Sequence, residues 1–175
     1  KNMVAQLESR GQKALGLTGA DMGMIRSVKR PPHPIDFGWV GDIEWINTEE
    51  LIVLLERGII PVLAPLSSDG SGQLLNTNAD SIAAHVAIAL AENSSFQVNL
   101  NLCFDLEGVM IDGKLCEVFN PQDFMLAKKD GQVSGGMIPK LDLGFRAVKA
   151  GVRHVRIVHP KDLYTEHMGT YLRLD

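Results

Sequence analysis

The sequence has 175 residues, 45% hydrophobic and 22% charged, with 17 Lys and Arg against 21 Asp and Glu for a formal charge of −4. That balance excludes a disordered chain and leaves length enough for a packed core on the scale of one domain. A pI near 5.7 offers no basic field for a nucleic-acid backbone, and the longest apolar run, Ile59 to Leu66, is too short and too proline-rich to span a bilayer.

The chain opens Lys1-Asn2-Met3-Val4, without an initiator Met, and reads as though it begins inside a helix. Met3, Val4 and Leu7 form one stripe of that helix up to Gln12, with Gly11 near its end. Ala14 to Leu17 is a short apolar strand closed by the Thr18-Gly19-Ala20-Asp21 turn, and Met24 to Val28 is another. Pro31, Pro32 and Pro34 force an exposed connection to a hairpin arm at Val40 to Ile46. The basic residues Arg26, Lys29 and Arg30 read as a solvated turn. Asn47 and Glu50 have capping-box spacing for a helix that buries Leu51, Ile52, Leu54 and Leu55 and stops at Gly58.

Ile59 to Leu66 is a candidate buried strand, and a loop from Ser67 to Gly72 leads to Leu74-Leu75. An Ala-rich helix spans about Ala79 to Ala91, with Ile82, Val86 and Leu90 on one face. Gln97 to Phe104 alternates as a strand, and Asp112-Gly113 marks a tight turn between two short strands. Asn120, Pro121 and Asp123 start a helix that ends near Lys129. A further helix runs from about Pro139, at its first position, to Ala150; Val155 to Val158 is a last buried strand, and Gly169 to Leu174 adds an edge. Strands alternating with helices imply an α/β layered fold with a largely parallel sheet. Cys103 and Cys116 make no C-x-x-C pair, so both read as reduced thiols of a cytoplasmic protein, Cys103 buried in its strand.

Ligands of open α/β sheets sit beyond the carboxyl ends of strands, where loops enter helix N-termini. Three junctions qualify. In Asn76-Thr77-Asn78-Ala79-Asp80, Asn78 and Asp80 could simply cap the following helix, or the cluster could grip a small polar metabolite. In Gly131-Gln132-Val133-Ser134-Gly135-Gly136-Met137-Ile138-Pro139-Lys140, a first-turn lysine opposes the helix dipole by roughly 0.3–1 kcal/mol. That placement makes sense if an anion lies between ammonium and helix end; the alternative is a solvated surface lysine. Asp105-Leu106-Glu107-Gly108-Val109-Met110 follows Phe104 with two carboxylates, suited to a ribose, a base edge or Mg²⁺, or else an ordinary acidic loop. There is no Walker A sequence, no G-x-G-x-x-G, no G-x-S-x-G, and no metal-ligand spacing among the five histidines.

Taken in order over nearly the whole chain, these segments resemble the amino-acid kinase superfamily, and most closely its acetylglutamate kinase branch. The carrying residues are Ala14 to Asp21, Val40-Gly41-Asp42, Gly58 to Leu66, Leu75 to Asp80, and Ser134 to Lys140. The resemblance implies a three-layer α/β/α sandwich and transfer of the terminal phosphoryl of ATP, with Mg²⁺, to the side-chain carboxylate of N-acetyl-L-glutamate on the route to arginine. It implies that Lys140 stabilises charge on the moving phosphoryl group, that Asp80 orients catalytic lysines, and that Asn76 and Asn78 serve the acylated amino acid. Asp105, Leu106, Glu107, Gly108, Val109 and Met110, with Gln132, Val133 and Ser134, then correspond to ATP-contacting segments.

Alternatives are a kinase of another acyl-glutamate, such as the succinylated one, and a non-catalytic nucleotide-binding module. A second catalytic lysine beside a glycine pair, a glycine-rich substrate loop and a substrate-binding arginine belong to the family's N-terminal half and find no counterpart here. Residues 1–175 are therefore expected to form one domain, the C-terminal nucleotide-binding part, inactive alone. In its complete form a homo-oligomer is expected, with small-molecule substrates and neither nucleic acid nor membrane as partner.

Overall fold

In the computed structural model, which describes residues 1–175, the alternating pattern becomes twelve strands and five α-helices in mixed α/β order. They divide into two compact units, Lys1–Ala89 and Leu90–Asp175. No helix is long and apolar enough to cross a membrane. The α/β class stands as expected, and its ladders are half parallel and half antiparallel.

The first unit begins with α1 (Asn2–Glu8) and β1 (Ala14–Leu17). A 3-10 turn leads to β2 (Ile25–Lys29), which pairs antiparallel with β3 (Gly41–Ile46). Helix α2 (Thr48–Glu56) returns the chain to β4 (Ile60–Leu63), parallel to β1 with Leu17 opposite Leu63. Strands β5 (Leu66–Ser68) and β6 (Leu74–Asn76) then form a hairpin, and the sheet order is β3-β2-β5-β6. Met24, Ile25, Leu51 and Leu75 are buried at its core; removing each such side chain from water is worth roughly 1.5–3 kcal/mol. Helix α3 spans Ala79–Asn93, and the boundary between the units falls within it.

Several local expectations change here. Ile59 to Leu66 is two strands rather than one buried strand, and Ile60 is exposed, because β4 and β5 join different sheets. Asn47 sits at the N-cap of α2 without a side-chain bond, so the capping box is not made, and Leu55 turns to solvent while Leu51 and Leu54 face inward. The basic cluster is not a free turn. Arg30 grips Asp42 with Nε and Nη2 at 3.0 and 2.5 Å from Oδ1, which raises the guanidinium pKa. Lys29 Nζ lies 4.6 Å from the Trp39 ring centroid, and Arg26 donates to the Asp69 carbonyl.

The turn after β1 carries a pH-dependent contact. Asp21 Oδ2 accepts from Thr18 N at 2.6 Å and from Thr18 Oγ1 at 2.8 Å. These bonds favour the carboxylate and lower its pKa below the usual 3.8. A lowered folded pKa adds stability that is complete above the unfolded value and fades as pH falls through the folded one. Asp21→Asn is expected to cost roughly 1 kcal/mol near neutral pH, at the low end because water screens the site. Denaturant titrations of both proteins at about pH 7 and about pH 2 check this: the gap closes in acid. A gap of the same size at both would exclude the carboxylate as its source.

In the second unit the central sheet runs β10 (Val118–Phe119), β12 (Thr170–Leu172), β11 (His154–Val158), β7 (Asn99–Cys103). Between β7 and β10 lies a small hairpin, β8 (Met110–Ile111) and β9 (Lys114–Leu115), turned by Asp112 and Gly113, both at positive φ. Helix α4 (Pro121–Lys129) starts as expected: Asn120 Oδ1 accepts from Asp123 N at 2.9 Å, with proline at its first position. Helix α5 (Met137–Lys149) buries Leu141, Gly144 and Phe145, and its Phe145 ring lies 5.9 Å from that of Phe124 in α4. A Cβ on Gly144 would come 2.3 Å from Leu172, so α5 lies close upon β12.

Two further expectations fail in this sheet, one through strand order and one through strand alternation. The segment from Gly169 was expected at an edge, but β12 lies between β11, antiparallel, and β10, parallel. Cys103 was expected to be buried, but β7 shields Leu100 and Leu102 on one face while Cys103 points outward with Asn99 and Asn101. Both cysteines are free, and burial pushes the Cys116 thiol pKa up.

Candidate functional site

Strands β7 and β11 run parallel with Asn99 opposite His154 and Cys103 opposite Val158, so both carboxyl ends emerge at one end of the sheet. There Phe104 to Met110 leaves β7, and the loop after α4 descends into α5. A cavity of about 210 Å³ opens between them. Leu106, Val109 and Met110 line one side and Gln132, Val133 and Ser134 the other, six of the nine residues expected at the nucleotide. Phe104, Gly136 and Met137 complete the wall. The space falls below the ~300 Å³ at which pockets begin to enclose a drug-sized ligand, so it has room for only part of a larger molecule.

The other three expected residues lie outside the lining. Asp105 is exposed at the strand end. Glu107 pairs loosely with Lys161, Oε1 to Nζ 3.6 Å, an exposed contact of little energy. Gly108 is buried beneath Thr170: a Cβ would stand 2.5 Å from Thr170 Oγ1 and 2.7 Å from Leu115 Cδ1. Gln132 spends an amide hydrogen on Asp112 Oδ1 at 2.9 Å, tying the hairpin turn to the loop before α5.

Lys140 is not a solvated surface lysine. It is 5% exposed, and its Nζ sits 5.5 Å from the centroid of the Phe104 ring. Helix α5 begins at Met137, two residues earlier than expected, which makes Lys140 its fourth residue and Pro139 its third. Proline is tolerated there because the first four helical N–H groups lack intrahelical acceptors. The amides of Met137 and Ile138 turn back to Ser134 and Gly135 carbonyls at 3.3 Å, and Pro139 has none. Positive charge at this helix start therefore comes from the Lys140 ammonium and the dipole more than from free amides.

In the first unit, Asn76 ends β6 with its side chain exposed and its N–H donating to the Trp39 carbonyl at 2.7 Å. Thr77 is buried, its Oγ1 2.7 Å from Ser67 Oγ. Asn78 Oδ1 accepts from Ser81 N at 3.0 Å, so it does cap the helix, leaving its NH₂ for any ligand. Asp80 is half-buried in the first turn of α3. Phe104 and Met137 belong to the candidate junctions but are not among the residues expected at the nucleotide, and the structure makes both of them cavity walls. Sequence reasoning passed over Thr170 and Lys161, which carry no local signal.

A larger hollow, about 650 Å³, lies on the sheet face turned away from α5, floored by Asn101, His154, Arg156 and Tyr171. None of the expected residues lines it. Buried Arg156 spends its guanidinium on Asn101 Oδ1 and on the carbonyls of Leu163, Thr165 and Met168, pinning the loop between β11 and β12.

Residues 1–159 match the amino acid kinase family. The chain belongs to that family. It is 46% identical to the acetylglutamate kinase of Phocaeicola vulgatus over 99% of its own length and 68% of that protein's. It is 48% identical to the acetylglutamate kinase of Bacteroides thetaiotaomicron, covering 90% and 62%. The chain thus spans about two thirds of the length of these family members. Among solved structures, the Streptococcus mutans protein smu.665 superposes with a TM-score of 0.84 at 29% identity, covering 99% of this chain and 66% of that one. Carbamate kinase from Giardia shares the fold, with a TM-score of 0.65 at 15% identity over 99% and 66% of the two chains.

Proposed function

We propose that this chain is the nucleotide-binding part of an acetylglutamate kinase, which phosphorylates the side-chain carboxylate of N-acetyl-L-glutamate with ATP. One observation carries the reading: a buried lysine at the start of α5 rests on Phe104, and Phe104 also walls a cavity formed by the two segments expected to hold ATP. In this reading the base enters the cavity between Leu106–Met110 and Gln132–Ser134, which places the phosphates toward α5.

The reaction forms a bond from a carboxylate oxygen to the γ-phosphorus and breaks the bond from that phosphorus to the oxygen that leaves with ADP. It needs no protein nucleophile; alignment and charge neutralisation supply most of the acceleration. The Lys140 ammonium bonds the equatorial oxygens of the moving group, and its burial raises the value of that contact over one in water. Asp80 takes the role of orienting the lysine charges, and Asn76 and the Asn78 NH₂ that of holding the acylated amino acid. Mg²⁺ supplied with ATP would offset the charge of its phosphates.

The test supplies the protein in its complete natural form with MgATP and a panel of N-acetyl-L-glutamate, N-succinyl-L-glutamate and L-glutamate. ADP release is followed and the acyl phosphate trapped with hydroxylamine. Turnover is expected to be fastest with the acetylated substrate. Faster turnover of the succinylated one would reassign the acyl group, and ATP binding without phosphorylation of any carboxylate would remove the enzyme reading.

A further inference from the structure

Thr170 is fully buried in β12, 61 residues along the chain from the nucleotide loop, yet both functions of its hydroxyl are committed there. Its Oγ1 accepts from Val109 N at 2.8 Å and donates to the Cys116 carbonyl at 2.6 Å. The same oxygen lies where a Cβ on Gly108 would fall, at 2.5 Å, so the loop backbone is pressed against it. Val109, the residue so held, is 1% exposed and lines the cavity with its neighbours Leu106 and Met110. The Cys116 N–H returns to the Val109 carbonyl at 2.9 Å, closing a ring of three bonds among the loop, the connection between β9 and β10, and β12.

We infer that Thr170 is the positioning residue of the nucleotide site: its hydroxyl fixes the height of Val109 and thereby the shape of the wall against which the base packs. Thr170 touches no ligand in this scheme and acts only through Val109. Without the hydroxyl, the Val109 N–H would be buried with no acceptor, and the loop would lift to reach water. The inference rests on the reading of this cavity as the ATP site.

The experiment compares Thr170→Val, which keeps the shape and removes both bonds, with Thr170→Ser, which keeps the hydroxyl, in the complete protein. Thr170→Val is expected to raise KM for ATP about tenfold, with KM for the acylated amino acid unchanged within twofold. Thr170→Ser restores the ATP value to within about twofold of wild type. Amide hydrogen exchange supplies a readout independent of activity: Val109 loses protection in Thr170→Val while Leu102 and Ile157 keep theirs. If Thr170→Val does not fold, Thr170→Cys, whose thiol is a weak hydrogen-bonding group, is expected to show the same pattern at about threefold. An ATP KM unchanged in the folded variant, or one that rises equally for both substrates, overturns the positioning role. If the wild-type protein itself binds no ATP, the reading of the cavity falls instead.

Discussion

Lys140→Ala is expected to lower kcat for phosphoryl transfer by about 10²–10³, the cost of removing one preorganised donor to developing charge. The substitution removes a neighbour of Phe104, one wall of the cavity proposed for the base, but no residue that lines the cavity itself. KM for ATP is therefore expected to move by less than about threefold. That split between kcat and KM separates a charge acting in the transition state from one that merely attracts the nucleotide. Lys140→Arg keeps a cation but puts a larger planar group where 5% of the side chain is exposed, so it should rescue poorly. Stopped-flow or coupled assays on folded, melt-tested variants check both. Activity of Lys140→Ala within tenfold of wild type would remove Lys140 from the mechanism.

Gly169→Ala is expected to produce the largest loss of stability, about 3 kcal/mol or more. Gly169 has φ +89°, a conformation that penalises any side chain, and its Cβ would meet the Ile157 carbonyl oxygen at 2.5 Å and Val158 Cβ at 2.9 Å. Those atoms belong to β11, the most buried strand of the sheet, and cannot retreat without breaking its ladder to β7. Gly131 serves as the comparison. It has φ +72° with nothing within 4 Å of a Cβ, so Gly131→Ala should cost only the conformational part, about 1 kcal/mol. Denaturant midpoints of the two variants separate strain from collision. Equal losses would show that the close approach to β11 carries no weight.

The elements legible in the sequence are those specified by residues a few positions apart. Asn120 with Pro121 and Asp123 set the start of α4, and the observed cap bond runs three residues. Asp112-Gly113 turns the β8–β9 hairpin as expected, because Asp-Gly suits the type I′ turn, which needs positive φ at both positions. The two loops proposed for the nucleotide are legible as strand-to-helix junctions with glycines and carboxylates. Failures fall where a second element decides the outcome. Leu55 satisfies the helical stripe of α2 as well as Leu54 does, and only the packed partner selects between them, whereas the alternation that turns Leu100 and Leu102 inward already places Cys103 on the other face. Asn47 and Glu50 have capping-box spacing, yet spacing alone does not make the bond.

A length of 175 residues at a charge of −4 excludes disorder and a basic surface, and the ordered motifs point to one kinase family. That much is written locally, in turn residues, caps and junctions whose partners lie within a few positions. Only the tertiary structure decides that Lys140 is buried against Phe104, that β12 lies inside its sheet, and that Thr170 reaches Val109. The physical reason is range: a hydroxyl or an ammonium has the same composition and spacing whether solvated or enclosed. Residues brought from 36 and 61 positions away determine which, and no short window along the chain contains them both.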